Sequence, residues 1–184
     1  MPFCLVWLKK DLRCRDHAPL AMAAGFDAAA ALYVIEPEWL ASAEFDAQHL
    51  EFALACLVPL RAELAARGLP LLVRVGSVVN VFTALRREFA FTHLVSHEET
   101  GPLWSYERDK QVARWCRGRG VVWQEFAQTC MVRRLKSRGG WAPRWRRFAG
   151  ADQRLEGLPM IDHISIAVCD LASSAAFYAK VLAP

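Results

Sequence analysis

The sequence predicts a Rossmann-like, doubly wound α/β domain with a five-stranded parallel sheet and a short C-terminal βα appendage. Five short apolar runs recur within residues 1–128, and segments of helical periodicity separate them. This alternation is typical of a parallel sheet that helices cover on both faces. The composition provides for such a core, because 54% of the residues are hydrophobic and only 23% are charged.

The first half of the domain begins with the apolar run PFCLVWL at residues 2–8, which predicts the first strand. A helix follows in DHAPLAMAAG, with Asp16 as its expected N-cap, Pro19 in its first turn and Gly25 directly after its end. The run AAALYVI at 29–35 then predicts a second buried strand.

A long helix is predicted over residues 47–67, and Gly68 stops it. Pro59 inside this segment predicts a kink. The helix should face the core with one apolar stripe, which comprises Leu50, Ala53, Leu54, Leu57 and Leu64.

The same alternation continues through the second half of the domain. Ser77 is the expected N-cap of a helix that reaches Phe89, and Gly120 closes the last helix. The remaining predicted elements are strands at 69–75, 91–97 and 121–126 and a helix at 104–118.

Right-handed crossovers and the usual strand order 3-2-1-4-5 place the first and fourth strands side by side. Ligands of such folds bind beyond the carboxyl ends of the strands at this point. The loops that meet there are charged, and the alternative to a ligand site is that they are ordinary solvated strand ends. They contribute Lys9, Lys10, Asp11 and Arg13 after the first strand and Glu98 and Glu99 after the fourth.

Several classes of protein are disfavoured. The chain has neither GxGxxG after the first strand nor GxxxxGK[ST], so a phosphate loop is not supported. The six cysteines are widely spaced and form no CxxC pair, which indicates reduced thiols. No apolar run reaches the length of a membrane span, and no secretory signal is evident. We therefore expect a cytoplasmic protein with no membrane partner.

Residues 129–158 form a basic linker-type segment that contains tryptophans. Arginine, lysine and tryptophan together can bind nucleic acid, and the weak candidates for this role are Arg133, Arg134, Lys136 and Arg144. The alternative, which we favour, is a segment that wraps a partner domain and pairs with its carboxylates. Binding of DNA is thus expected to be weak or absent.

Residues 3–149 resemble the N-terminal α/β domain of the DNA photolyase and cryptochrome family. The motifs that carry the resemblance are LVWLKKDLRCRDHAPL (5–20), ALYVIEPE (31–38), LPLLVRVG (69–76), HLVSHEETG (93–101), YERDKQVARWCR (106–117) and MVRRLKSRGGWAPRW (131–145). The first is highly specific, since it joins an apolar strand, an aromatic residue, two basic residues, DLR and a D-H-x-x-L helix start. Lys9 and Lys10 stand where many members have two arginines, which keeps the charge without the bidentate geometry.

The resemblance implies an antenna domain that holds methenyltetrahydrofolate or a deazaflavin. The candidate chromophore-binding residues are Trp7, Lys9, Lys10, Asp11, Arg13, Glu36, Glu98, Glu99 and Arg108. In the family a larger helical domain holds FAD and repairs DNA, and only 36 residues follow Phe148 here. We therefore expect a truncated protein without FAD and without repair activity of its own. The face that a helical domain would cover suggests self-association.

Residues 159–184 resemble the first βα unit of the vicinal oxygen chelate family, which includes glyoxalases and extradiol dioxygenases. The motif is PMIDHISIAVCDLASSAAFYAKVLAP, and His163 matches a strand histidine that binds metal in some members. A metal centre needs about three protein ligands, so His163 is an orphan and no metal is expected. The alternative functions are a small nucleotide-binding regulatory module and a fragment of a glyoxalase or dioxygenase.

Overall fold

Five parallel strands form a single sheet in the computed structural model, which describes residues 2–128, 138–143 and 146. The strands are β1 (Phe3–Leu8), β2 (Ala28–Ile35), β3 (Leu71–Val75), β4 (His93–His97) and β5 (Val122–Phe126). Their order is β3-β2-β1-β4-β5, which confirms the predicted topology.

Helices connect these strands. They are α1 (Ala18–Ala23), α2 (Pro37–Leu40), α3 (Ala47–Ala65), α4 (Val78–Phe89) and α5 (Leu103–Arg119). The sequence did not predict α2, because four residues are too few to show a helical period; Pro37 begins it with a backbone already suited to a first turn. Outside the domain, the described residues include one short 3₁₀ turn at Arg138–Gly140.

The central strand β1 is buried on both faces, as a doubly wound sheet requires. Leu5 and Trp7 lie in one core cluster with residues of α4 and α5, whereas Cys4, Val6 and Leu8 lie in the other with residues of α3. Because successive side chains of a strand point to opposite faces, one apolar run fills two cores.

The N-cap of α1 is His17, and the expectation that Asp16 caps this helix was wrong. Asp16 has a φ of +47°, which is not the extended conformation of an N-cap residue. His17 is extended, and its Nδ1 accepts a hydrogen bond of 3.2 Å from the Leu20 amide. A ring nitrogen therefore takes the place of the usual capping oxygen.

The buried stripe of α3 differs from the prediction at three positions: Leu60 is buried although it was not predicted, Leu50 is only half-buried, and Leu54 is exposed. The residues that face the core are Ala53, Leu57, Leu60 and Leu64. Leu54 is instead 43% exposed, and Val58 one turn later is 74% exposed. The helix rotates by about 100° per residue, so a position directly after a buried one turns toward solvent. The helix continues through Pro59.

The ends of α4 and α5 follow the predicted boundaries closely. Ala90 after α4 and Gly120 after α5 both adopt left-handed backbone conformations, with φ of 48° and 62°. Glycine adopts this geometry without strain, which explains why Gly120 is a readable stop signal. Within the described residues, no helix is long and apolar enough to cross a membrane.

Candidate functional site

The carboxyl ends of β1 and β4 lie side by side, with Trp7 in register with Ser96. The loops that follow them therefore meet, as the topology predicted. An ion pair between Lys10 and Glu99 joins these loops, with Lys10 Nζ 3.4 Å from Glu99 Oε1. Lys10 is exposed and Glu99 is buried, so the pair spans the boundary between solvent and the protein.

Arg108 on α5 is the centre of this region. Its guanidinium lies 2.6 Å from Glu36 Oε1, 2.9 Å from Glu99 Oε2 and 2.9 Å from Asp109 Oδ1. Glu36 follows β2 and Glu99 follows β4, so one side chain ties together residues from three elements. The planar fork of arginine suits several carboxylates at once, which lysine would not match.

Burial and charge shift the protonation of this cluster. Burial would lower the pKa of Arg108, but the carboxylates of Glu36, Asp109 and Glu99 outweigh it and raise that pKa. For Glu36 burial dominates and raises the pKa to about 7, although Arg108 opposes the shift. Glu36 is thus a carboxyl group that titrates near neutral pH.

Glu99 shifts in the other direction. Burial raises its pKa, but the positive charges of Lys10 and Arg108 and the hydrogen bond from the Gly101 amide lower it further, and the net shift is downward. The site therefore holds one carboxylate that is firmly ionised beside one that is not.

Lys9 is buried beneath this cluster. Its Nζ lies 2.8 Å from Asp109 Oδ2 and 3.7 Å from Glu125 Oε1, and it sits 4.5 Å from the ring centroid of Trp7. Burial lowers the pKa of Lys9 even though Asp109 favours the charged form. Lys9 is one of the candidate chromophore-binding residues, and the structure places its side chain in a buried ion pair.

Two tryptophans flank the guanidinium of Arg108. Its Cζ lies 4.7 Å from the ring centroid of Trp7 and 5.5 Å from that of Trp104. Trp7 is buried in the core, where it also contacts Phe82. The Trp104 indole nitrogen is buried and has no hydrogen-bond partner among the described residues. A buried donor without an acceptor is costly, which makes Trp104 a notable feature of the site.

A second buried cluster adjoins the β1 loop. Asp11 Oδ2 lies 2.5 Å from His97 Nδ1 and 2.7 Å from His17 Nε2, and Asp11 Oδ1 accepts from the Lys9 amide. Burial would raise the pKa of Asp11, but His17 and His97 outweigh it and hold that pKa well below its usual range. Asp11 thus fixes the loop to α1 and β4 and faces inward.

Asp11, His17 and His97 each have a possible metal-ligand atom, and these three atoms lie within 4.8 Å of one another. The hydrogen bonds of His17, however, do not leave it free to coordinate a metal ion. His17 Nδ1 accepts a hydrogen bond from the Leu20 amide, so in the neutral ring the proton is on Nε2. A protonated nitrogen is not a ligand, and Nε2–H faces the Asp11 carboxylate. The cluster is an internal carboxylate–imidazole network.

The other predicted residues have varied positions. Arg13 donates to the carbonyls of Arg15 and Asp16 and shapes its own loop. Glu98 is half-buried, and its amide donates to the Phe126 carbonyl. The weak nucleic-acid candidates and the orphan histidine lie outside the described residues: Arg133, Arg134, Lys136, Arg144 and His163.

Sequence reasoning missed Asp109, Glu125 and Trp104. Asp109 directly follows Arg108, but α5 was predicted without any indication of its orientation over the sheet. Glu125 directly follows Gln124 on β5, and two adjacent polar residues near a strand end signal solvent exposure more than an ion-pair partner. His97 ends an apolar strand, and a histidine at such a buried position could have been predicted to need a polar partner.

The fold and the site together define a class: a Rossmann-like α/β domain with a cluster of charged residues at its topological switch point. The sequence model of the DNA photolyase family matches residues 4–144, which is most of the chain. The chain belongs to this family. The match ends at residue 144, so the resemblance of residues 159–184 to vicinal oxygen chelate proteins stays a prediction.

Three curated relatives of this chain are also cryptochromes or photolyases. Cryptochrome DASH of Gloeobacter violaceus is 35% identical over 116 residues, which cover 59% of this chain and 23% of that protein. The chloroplastic/mitochondrial cryptochrome DASH of Arabidopsis thaliana is 30% identical over 103 residues, or 52% of this chain and 18% of that one. Deoxyribodipyrimidine photo-lyase of Salmonella typhimurium is 35% identical over 100 residues, which cover 53% of this chain and 21% of that protein. The chain spans about a fifth of the length of these relatives.

Solved structures show the same fold. The archaeal photolyase of Sulfolobus tokodaii, described with two FAD molecules and a novel light-harvesting cofactor, superposes with a TM-score of 0.60 at 21% identity. This match covers 68% of this chain and 29% of that one. A cryptochrome of Synechocystis gives a TM-score of 0.60 at 23% identity, and the match covers 69% of this chain and 27% of that one.

Proposed function

We propose that the described α/β domain binds a light-harvesting chromophore at the carboxyl edge of β1 and β4. Membership of the photolyase family supports this, as does the light-harvesting cofactor of the Sulfolobus protein. The observation that carries the proposal is the buried Trp104 indole N–H, which has no acceptor among the described residues and whose ring lies beside Arg108. A bound molecule with a carbonyl or ring-nitrogen acceptor would satisfy this donor.

The chemistry of the region suits a folate or a deazaflavin. Both have a flat heteroaromatic ring with carbonyl groups, and a folate also has an anionic glutamate tail. Trp104 offers a ring face and a donor, and the exposed ammonium of Lys10 offers a positive charge for the tail. Arg108 already contacts three carboxylates, so its role is to hold Glu36 and Glu99 in place more than to bind an anion.

We propose further that the 184-residue chain does not repair DNA or bind FAD by itself. The resemblance is to the N-terminal α/β domain of the family, and the chain spans about a fifth of the length of the curated relatives. Self-association, weak DNA binding and a cytoplasmic location stay predictions.

Fluorescence titration of the purified chain with methenyltetrahydrofolate and with a deazaflavin tests the chromophore proposal. We expect saturable binding to one of them, and at least tenfold weaker binding by Trp104→Phe, because phenylalanine keeps a ring but lacks the donor. Trp115→Phe is the matched control, since it removes an indole N–H that already donates to Thr83 at 2.9 Å.

Two outcomes would overturn the proposal. One is the absence of binding by either chromophore to a folded protein. The other is saturable binding of ATP or FMN with neither chromophore competing, which would favour the nucleotide-binding module. A ligand present at 100 times its Kd also raises the free energy of unfolding by about 2.7 kcal/mol, which gives an independent check.

A further inference from the structure

Five arginines lie in or near the last turns of the neighbouring helices α4 and α5, at the edge of the sheet opposite the candidate site. We call them the arginine patch: Arg86, Arg87, Arg114, Arg117 and Arg119. Arg86 joins the two helix ends, because its Nη2 lies 3.3 Å from the Arg119 carbonyl and its Nη1 donates to the Phe91 carbonyl. Helices in such folds run antiparallel to the strands, so the carboxyl ends of the helices lie at the amino ends of the strands, away from the candidate site.

The charge of the patch contrasts with that of the domain around it. Residues 1–128 contain 14 lysines and arginines and 15 aspartates and glutamates, so this part of the chain is nearly neutral. Glu88 is the one acidic residue within the helix ends, residues 84–90 and 113–120. Among the described residues, none of the five arginines is in an ion pair, whereas other basic residues such as Lys9, Lys10, Arg67 and Arg108 are.

Helix dipoles do not account for this concentration of charge. The carboxyl end of a helix is equivalent to about half a negative charge, and two ends give about one. With Glu88 the local negative charge is about two, against five positive charges. Arg114 also lies before the last turn of α5, where the dipole effect has faded. A surplus of about three positive charges remains, and like charges held together favour an anionic partner.

We propose that the arginine patch binds the phosphate backbone of a nucleic-acid duplex without reading its sequence. The planar guanidinium group of arginine can donate two parallel hydrogen bonds to a phosphate group, and the patch has five arginines and no lysine. A protein partner would need an apolar anchor, but among the described residues Val122 is the one large apolar residue exposed near the arginines, and the others are small, such as Ala84, Ala90 and Gly118. The described residues at these helix ends also include no exposed aromatic side chain for stacking of unpaired bases.

The test is fluorescence anisotropy of a labelled 20-base-pair duplex with the full chain between 50 and 200 mM salt. The triple variant Arg87→Ala/Arg114→Ala/Arg117→Ala removes three exposed charges whose side chains make no ion pair in the described structure. Each lost phosphate contact should make the slope of log K against log salt less steep by about 0.9, so we expect a change of about 2 to 3.

The matched control is Arg61→Ala/Arg67→Ala/Arg74→Ala, which loses the same charge on α3, in the turn after it and on β3, and should leave the slope unchanged. Both triples keep the basic segment after residue 128, and circular dichroism checks that both are folded. Equal slopes for the two triples would overturn the proposal. It would also be overturned if the patch triple lost affinity for polyglutamate but kept its affinity for the duplex, since the partner would then be an acidic protein.

Discussion

Lys9 and Asp109 lie 100 residues apart in the sequence, and their charged atoms lie 2.8 Å apart in a buried ion pair. The pair joins the end of β1 to α5 at the carboxyl edge of the sheet. Only 5% of the Lys9 side chain and 6% of the Asp109 side chain are exposed, so each charge depends on the other for its stabilisation.

Replacement of Asp109 should therefore be strongly destabilising. We expect Asp109→Asn to lower the free energy of unfolding by about 3 kcal/mol, because Lys9 would keep its buried charge without its nearest counter-charge. Urea denaturation measures this. Glu107→Gln is the control, since Glu107 pairs with Lys110 at an exposed site where a pair contributes less than about 1 kcal/mol. In the Asp109→Asn background, Lys9→Met should cost less than in the native chain; an equal cost would show that the pair is not coupled.

Glu36 should make stability fall as the pH rises. Its pKa in the folded protein is about 7, above the ordinary value of 4.5, so the folded state holds a proton that the unfolded state has released. Between about pH 5 and 8, the free energy of unfolding of the native chain should decrease relative to that of Glu36→Gln. The size is about 1.4 kcal/mol for each pKa unit of the shift.

Urea midpoints at pH 5, 6, 7 and 8 measure this effect, and Glu44→Gln at an exposed position serves as the control. The difference between native chain and Glu36→Gln should be smallest near pH 5 and largest near pH 8. A difference that is constant with pH would mean that Glu36 is ionised throughout this range in the folded protein.

The Asp11 cluster should be indifferent to metal. Because His17 uses Nδ1 to cap α1, its Nε2 carries the proton and cannot coordinate. Addition of zinc or of a chelator should leave the Tm unchanged, by differential scanning fluorimetry. A zinc-dependent rise in Tm that Asp11→Asn abolishes would show that the histidine gives up its cap for a metal.

His17 should contribute to stability through the helix cap and the Asp11 contact together. We expect His17→Ala to cost about 1 to 2 kcal/mol and His17→Asn to cost less, because asparagine is a favoured N-cap residue. Thermal denaturation of both variants and of His49→Ala, whose residue is exposed, measures this. Equal losses for alanine and asparagine would assign the effect to the Asp11 contact alone.

The sequence could predict the arrangement of the strands but not the orientation of α5. The apolar runs are long enough to identify all five strands, and the handedness of crossovers then places the Lys10 and Glu99 loops together. The position of Arg108 over three carboxylates depends on the rotation of α5 about its axis, and the weakly amphipathic pattern of that helix does not specify it. His17 was missed as a cap because capping statistics favour oxygen side chains such as that of Asp16.

The last prediction concerns Leu54 and Leu57, which the pattern of α3 assigned to the same buried stripe. Leu57 is buried with Leu60 and Leu64 against the sheet, whereas Leu54 is 43% exposed. Leu57→Ala should lower the free energy of unfolding by about 2 to 5 kcal/mol, since it leaves a cavity in the core. Leu54→Ala should change it by less than about 1 kcal/mol if the exposed side of α3 faces solvent. Chemical denaturation of the two variants at several protein concentrations measures both effects. A large loss for Leu54→Ala that grows with protein concentration would instead show that this side of α3 is covered by a second copy of the chain.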